Sequence, residues 1–213
     1  MSNPELIKLR FLNDNIMGFH NEHIAQTLDE GLDVNYPDPD HYNRTPLMLA
    51  ARYGNVAAIS ILIEKGADRN AEDEKGFTVL HHACDGINPQ VFTVGFFHEL
   101  GLSNLDHQDY SGNTPLFWAV FNLFEDYKQD LSEVVVFLLE KGADPHIKNI
   151  QNDESPWDLL KLYRNMSGGS RWEGLSSPEL DRKYEELLAQ ENRIELERET
   201  GSASILISRR PRV

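Results

Sequence analysis

Several things are scarce in this chain, and each scarcity excludes something. One cysteine, Cys84, stands among 213 residues, so no internal disulfide framework is possible and a reducing, intracellular setting is expected. No stretch approaches the roughly 20 apolar residues that a membrane-spanning helix needs. The N-terminus, MSNPELIKLRFLNDN, has no basic run followed by an apolar segment and a small-residue cleavage site, so no secretory signal is read there. These absences lead us to expect a cytoplasmic protein without membrane contact. Positive charge is scarce too: 20 Lys and Arg stand against 35 Asp and Glu, a formal net of −15. The first 170 residues carry −14 of it, so the acidity belongs to the body of the chain and not to a tail. Such a surface repels a phosphate backbone, which argues against nucleic acid, and favours fast encounter with a basic protein. Plain solubility is served by the same charge.

Catalytic signatures are missing as well. The chain has no G-x-S-x-G, no G-x-x-x-x-G-K, no H-E-x-x-H and no G-x-G-x-x-G. Carboxylates are abundant, but nothing in the spacing pairs two of them in a pocket. His81, His82 and Cys84 lie together without the C-x-x-C or H-x-x-x-H spacing of a zinc site, so they read as packing residues. His20 and His23 fall near a helix start and read as surface residues. We therefore expect no enzyme activity, no metal and no cofactor.

What the chain does have is a repeat. RTPLMLAARYGNVAAISILIEKGADRNA (44–71), FTVLHHACDGINPQVFTVGFFHELGLSNLD (77–106) and NTPLFWAVFNLFEDYKQDLSEVVVFLLEKGADPHIKN (113–149) align, and ESPWDLLKLY (154–163) begins a fourth unit. The initiating residues Thr45, Thr78, Thr114 and Ser155 are 33, 36 and 41 apart. Thr45, Thr114 and Ser155 are good N-caps, and Pro46, Pro115 and Pro156 follow at the first helical position, where no amide donor is lost. Each unit then predicts a short helix, a turn, and a second helix with a dense apolar face (Ile59, Leu62 and Ile63 in one, Val135, Leu138 and Leu139 in another). Gly66 and Gly142 end the second helices.

The pattern D-x-x-G-x-T-P-L-H-x-A-A, followed by a helix ending L-L-x-x-G-A-D-x-N, is that of the ankyrin repeat. Asp73, Gly76, Thr78, Leu80, His81 and Ala83 match it, with Gly66, Ala67, Asp68 and Asn70 closing the unit before. Asp109, Gly112, Thr114, Pro115 and Leu116 match again, with Gly142, Ala143 and Asp144. The resemblance covers about residues 24–160 and implies an all-α solenoid of stacked helix-turn-helix units. It also implies that His81 hydrogen-bonds within the repeat stack. Val79 departs from the pattern where proline is expected, and Asn43 stands in the turn-glycine slot, where asparagine tolerates a positive φ. Insertions fall between the paired helices, near residues 86–90 and 121–130. The second of these is expected at the groove's edge, as an additional rim of contacts.

The expected organisation is an ankyrin-repeat domain over 1–163. It comprises a degenerate first repeat (about 4–40), repeats at 41–73, 74–108 and 109–149, and a partial repeat at 150–163. A linker and a capping helix follow over 164–200, the helix starting at Ser177 and Pro178, and residues 201–213 are expected to form a loose tail. Function, on this resemblance, lies in a surface of turn tips and exposed first-helix positions. Carried onto this sequence, these are His41, Tyr42, Arg44, Arg52 and Tyr53, then Glu74, Lys75, Phe77 and Asp85, then Tyr110, Asn113, Phe121 and Asn122. Aromatic and arginine side chains at exposed positions are what binding hot spots use. The expected activity is non-enzymatic capture of a basic protein, in a form resembling the small acidic inhibitor or immunity proteins of bacteria. The alternative is an adaptor or effector bridging two partners.

Overall fold

The computed structural model describes residues 4–86, 91–101, 104–125, 131–165 and 177–208. Among them are ten α-helices: α1 (Pro4–Met17), α2 (Ile24–Asp29), α3 (Pro46–Arg52), α4 (Val56–Glu64), α5 (Val79–Cys84), α6 (Val91–Glu99), α7 (Pro115–Glu125), α8 (Ser132–Glu140), α9 (Pro156–Asn165) and α10 (Pro178–Ser208). The chain divides into two compact units, Met1–Leu175 and Ser176–Val213.

In the first unit the helices start where the hydroxyl residues stand. The Thr45 side chain accepts from the Met48 amide (3.4 Å), Thr114 from Phe117 (3.2 Å) and Ser155 from Asp158 (3.2 Å). Each bond satisfies one of the amides that the first turn of a helix leaves without a partner. Ser155 and Asp158 reciprocate, the Ser155 amide donating to the Asp158 carboxylate at 3.0 Å. At Thr78 the reciprocal partner is a histidine, since the Thr78 amide donates to His81 Nδ1 at 3.2 Å.

The odd-numbered helices stack on one another as a layer, α1 on α3, α3 on α5, α5 on α7 and α7 on α9. The even-numbered helices form a second layer, with α2 on α4 and α6 on α8. The core lies between the layers. Leu47, Ala50 and Ala51 of α3, Ala83 and Cys84 of α5, and Leu116, Ala119 and Val120 of α7 are buried against Ile59, Leu62, Val94, Phe97, Val135 and Leu138. Small residues at paired positions of each first helix bring the layers close, and the apolar stripe of each second helix is covered by its neighbours.

Two expectations are corrected by the helices. The insertion at 121–130, expected as a rim of contacts, starts as a lengthened helix, α7 running on to Glu125, but Phe124 is buried, its ring stacked on Tyr163 of α9 with centroids 4.1 Å apart. Aromatic stacking on the following repeat, not solvent, is what this added turn provides. Tyr127 and Asp130 lie outside the described residues. In the second unit, residues 201–208, expected to be loose, continue α10 to Ser208. One glycine inside a helix costs only about 1 kcal/mol, so Gly201 does not stop it.

Candidate functional site

Each repeat begins with a turn built on one buried side chain. Asp38, Asp73, Asp109 and Asn149 close their turns by donating backbone amides to the carbonyls of Arg44 (2.9 Å), Phe77 (3.1 Å), Asn113 (2.9 Å) and Glu154 (2.9 Å). One side-chain oxygen collects the amides of the tip: Asp73 accepts from Lys75 (2.8 Å) and Phe77 (3.0 Å), and Asp109 from Ser111 (2.8 Å) and Asn113 (2.9 Å). The other oxygen ties the turn to the helix behind it. His82 Nε2 lies 2.9 Å from Asp73, and Trp118 Nε1 donates to Asp109 at 2.9 Å. Burial alone would raise the pKa of Asp73, but the hydrogen bonds from His82, Phe77 and Lys75 outweigh it and hold the carboxyl below the usual range.

The turns are also joined to one another. The amide of Glu74 donates to the Tyr42 carbonyl (2.9 Å), that of Tyr110 to Lys75 (3.0 Å) and that of Ile150 to Ser111 (2.9 Å). This ladder fixes the spacing of the exposed tip side chains. Tyr42, Tyr110 and Ile150 are 51%, 68% and 78% exposed, large values for side chains of this size. Tyr110 lies across Gly76, where a Cβ would meet its ring at 2.6 Å, and Ile150 lies across Gly112, where a Cβ would meet the Ile150 amide nitrogen at 2.7 Å. Both glycines also hold positive φ, 76° and 83°, so no other residue fits either slot without strain. Asn43 takes the corresponding place in the first turn at φ 54°, as the sequence suggested. Beside it Tyr42 sits at φ 59°, a conformation that costs a bulky residue about 1–3 kcal/mol. The Lys75 ammonium lies 3.9 Å above the Tyr42 ring, a cation–π contact that steadies it.

Behind the tips, the ends of the first helices form a second strip. Arg52 pairs with Asp85 at 2.5 Å, and Asn122 donates to the other oxygen of Asp85 at 3.2 Å, so three repeats are bridged by one polar chain. Arg44 lies close by. Burial and the neighbouring Arg52 lower its pKa, while Asp73, Asp85 and Asp38 oppose the shift. Tyr53 and Phe121 are half-buried, and Phe121 meets Phe117 and Trp118 at centroid distances of 6.4 and 5.8 Å.

Of the residues singled out from sequence, His41, Tyr42, Glu74, Lys75 and Tyr110 stand exposed along the tips, and Arg44, Arg52, Tyr53, Asp85, Phe121 and Asn122 are half-buried. Two are turned inward. Phe77 is buried between His81, His82 and Trp118, because the residue after a turn glycine leads directly into the helix and points back at the core. Asn113 is buried too, accepting from Asn149 at 3.0 Å. Ile150 was missed, although it occupies the place after the turn-opening residue that Glu74 and Tyr110 occupy. Trp118, at the α7 position one turn into its helix, is half-exposed, with its indole N–H bound to Asp109.

The histidine and cysteine cluster is structural. His81 Nε2 meets the Asn113 carbonyl at 3.1 Å, which ties its repeat to the next, and burial lowers its pKa to about 4. Burial pushes the Cys84 thiol up, which leaves it a packing group and not a nucleophile. Among the described residues no group of three His, Cys, Asp or Glu side chains is placed to hold a metal ion. No helix among them is long and apolar enough to cross a membrane.

Stacked helical pairs joined by a rigid ladder of turns, presenting side chains in rows, define a repeat scaffold for protein–protein interaction. Comparison with known families agrees. Ankyrin repeats in three copies match residues 16–94 and a further ankyrin repeat matches residues 111–150, so the chain belongs to the ankyrin-repeat family. It is similar to the palmitoyltransferase AKR1 of Lachancea kluyveri, 37% identical over 99 residues, which is 46% of this chain and 13% of the relative. It is similar to human transient receptor potential cation channel subfamily A member 1, 28% identical over 145 residues (68% of this chain, 12% of the channel). It is also similar to human NF-kappa-B inhibitor zeta, 35% identical over 102 residues (46% of this chain, 14% of the relative). The chain thus spans no more than 14% of the length of these three relatives.

Proposed function

We propose that this chain is a non-enzymatic module that captures one basic protein and inhibits it by covering its surface, as an immunity protein covers a toxin. The observation that carries this reading is the ladder of turns, which holds Tyr42, Lys75 and Tyr110 exposed and already in place. Side chains fixed before binding lose little entropy on binding, and tyrosines supply large contact area with few rotatable bonds. The net charge of −15 favours encounter with a basic surface. One relative, human NF-kappa-B inhibitor zeta, is an inhibitor by name, which supports the same class of action.

The test exposes the immobilised full chain to extract of its source organism, beside a variant carrying Tyr42→Ala, Tyr53→Ala and Tyr110→Ala. One basic protein held in one-to-one ratio by the wild type and lost by the variant is the expected result. Several partners of mixed charge would replace the inhibitor with the adaptor reading. Retention by the triple variant would move the interface off the tips.

A further inference from the structure

The face opposite the tips carries a feature that capture by the turns does not use. Phe92 of α6 is 77% exposed, one turn from Phe96 and next to Gly95, a sequence that leaves a slot in the helix surface. Val56 of α4, Val91 and Phe137 of α8 complete the walls of a cavity of about 390 Å³. It crosses three repeats, with Gly95 on its floor among apolar side chains. A volume of that size lies in the range of recognition pockets, and a phenylalanine left largely in water costs solubility unless something covers it.

The charge around the slot says what would cover it. Glu99 stands on the lining itself, and Glu64, Glu133 and Glu140 are exposed on α4 and α8. No lysine or arginine occurs within α4, α6 or α8. The ammonium of Lys141, which follows α8, lies 5.3 Å from the Phe137 ring, and that of Lys65, which follows α4, is paired with Asp29. A second copy of this chain would bring another −15 against this face. A helix with apolar residues on one side and lysine or arginine on its flanks matches both the slot and its rim.

We propose that the α4–α6–α8 face is a second docking site, in which a basic amphipathic helix of a partner protein inserts an apolar side chain beside Phe92 and over Gly95. The site is independent of the tips, and its occupant need not be the protein they capture. Phe92→Asp removes the exposed ring without touching the core. Gly95→Ala fills the slot instead: the added Cβ would lie 3.6 Å from Phe137, an ordinary contact, so the fold has no reason to yield.

The probe is a synthetic peptide of about 18 residues made of leucine and lysine, its leucines spaced three and four apart so that they share one helical face. A scrambled peptide of the same composition is the control. Binding to the full chain is read by fluorescence anisotropy. The wild type should hold the amphipathic peptide and not the scrambled one, and Phe92→Asp and Gly95→Ala should each weaken it by about thirtyfold. Simple charge attraction would behave oppositely, because Phe92→Asp adds a negative charge. The triple tyrosine variant should bind this peptide as the wild type does, so failure at the tips and failure at the slot are read separately. Equal binding of both peptides, or no loss in either slot variant, would overturn the proposal. So would sedimentation showing a wild-type dimer that Phe92→Asp dissociates, since the occupant would then be a second copy.

Discussion

At the scale of the residue, His81 shows how a motif position becomes a physical commitment. It is buried, it receives the Thr78 amide on one nitrogen, and it meets the next repeat's Asn113 carbonyl with the other. That arrangement suits the neutral ring, and burial lowers the pKa from 6.5 to about 4. The folded state therefore binds fewer protons than the unfolded state between those two values. The stabilisation is complete above about pH 6.5 and is lost as pH falls through 4, by an amount on the order of 3 kcal/mol. His82, whose pKa burial also lowers, adds loss in the same direction. His81→Gln keeps a group able to accept the Thr78 amide but does not titrate. We expect it to be less stable than the wild type at pH 7 and to show a shallower fall between pH 6.5 and 4, measured by urea denaturation across that range. Identical slopes would place the proton linkage elsewhere.

At the scale of the element, α3, α5 and α7 answer one sequence pattern with different lengths, and the difference is instructive. The hydroxyl-proline starts of α3, α7 and α9 were legible because a cap and a fixed φ are local chemistry. The end of α7 was not. Phe124 extends that helix because Tyr163, about 40 residues further on, offers its ring to stack against. No local signal announces such a partner. Phe124→Ala should accordingly cost about 3–5 kcal/mol in urea denaturation, the usual price of a large buried aromatic. Phe121→Ala, three residues earlier and half-exposed, should cost clearly less. Equal costs would return the segment to the role of a peripheral rim. Gly201 in α10 teaches the reverse point: a residue that often ends helices lies inside this one.

At the scale of the molecule, charge and shape act at different distances. The net charge of −15 is felt beyond contact, whereas the tip side chains act only once surfaces meet. Raising salt from 0.1 M to 1 M shortens the Debye length from about 10 Å to about 3 Å. Association with the captured partner should slow markedly over that range, while dissociation changes little. Reversal of Glu74 to lysine, and of Asp40, which is exposed in the first turn and paired with Arg10 at 2.9 Å, should lower the on-rate, and loss of Tyr42, Tyr53 and Tyr110 should raise the off-rate. Surface plasmon resonance at two salt concentrations separates the two effects, and an on-rate indifferent to salt would remove charge steering from the account.

The sequence by itself determined the repeat, the order and starts of its helices, the asparagine or glycine in each of the first three turns, and the acidic balance of the whole. Those properties are written in spacing, capping and composition, which act between near neighbours or by simple sum. Only the tertiary structure decided which of the candidate residues face outward. Phe77 and Tyr110 look alike as aromatics beside a turn glycine, yet one is buried against Trp118 and the other lies exposed across Gly76. Their fates differ because Phe77 lies under Trp118 of the following repeat, whereas Tyr110 lies over Gly76 of the preceding one. The slot beside Phe92 was likewise invisible along the chain, since its walls come from three helices that meet only when the repeats stack.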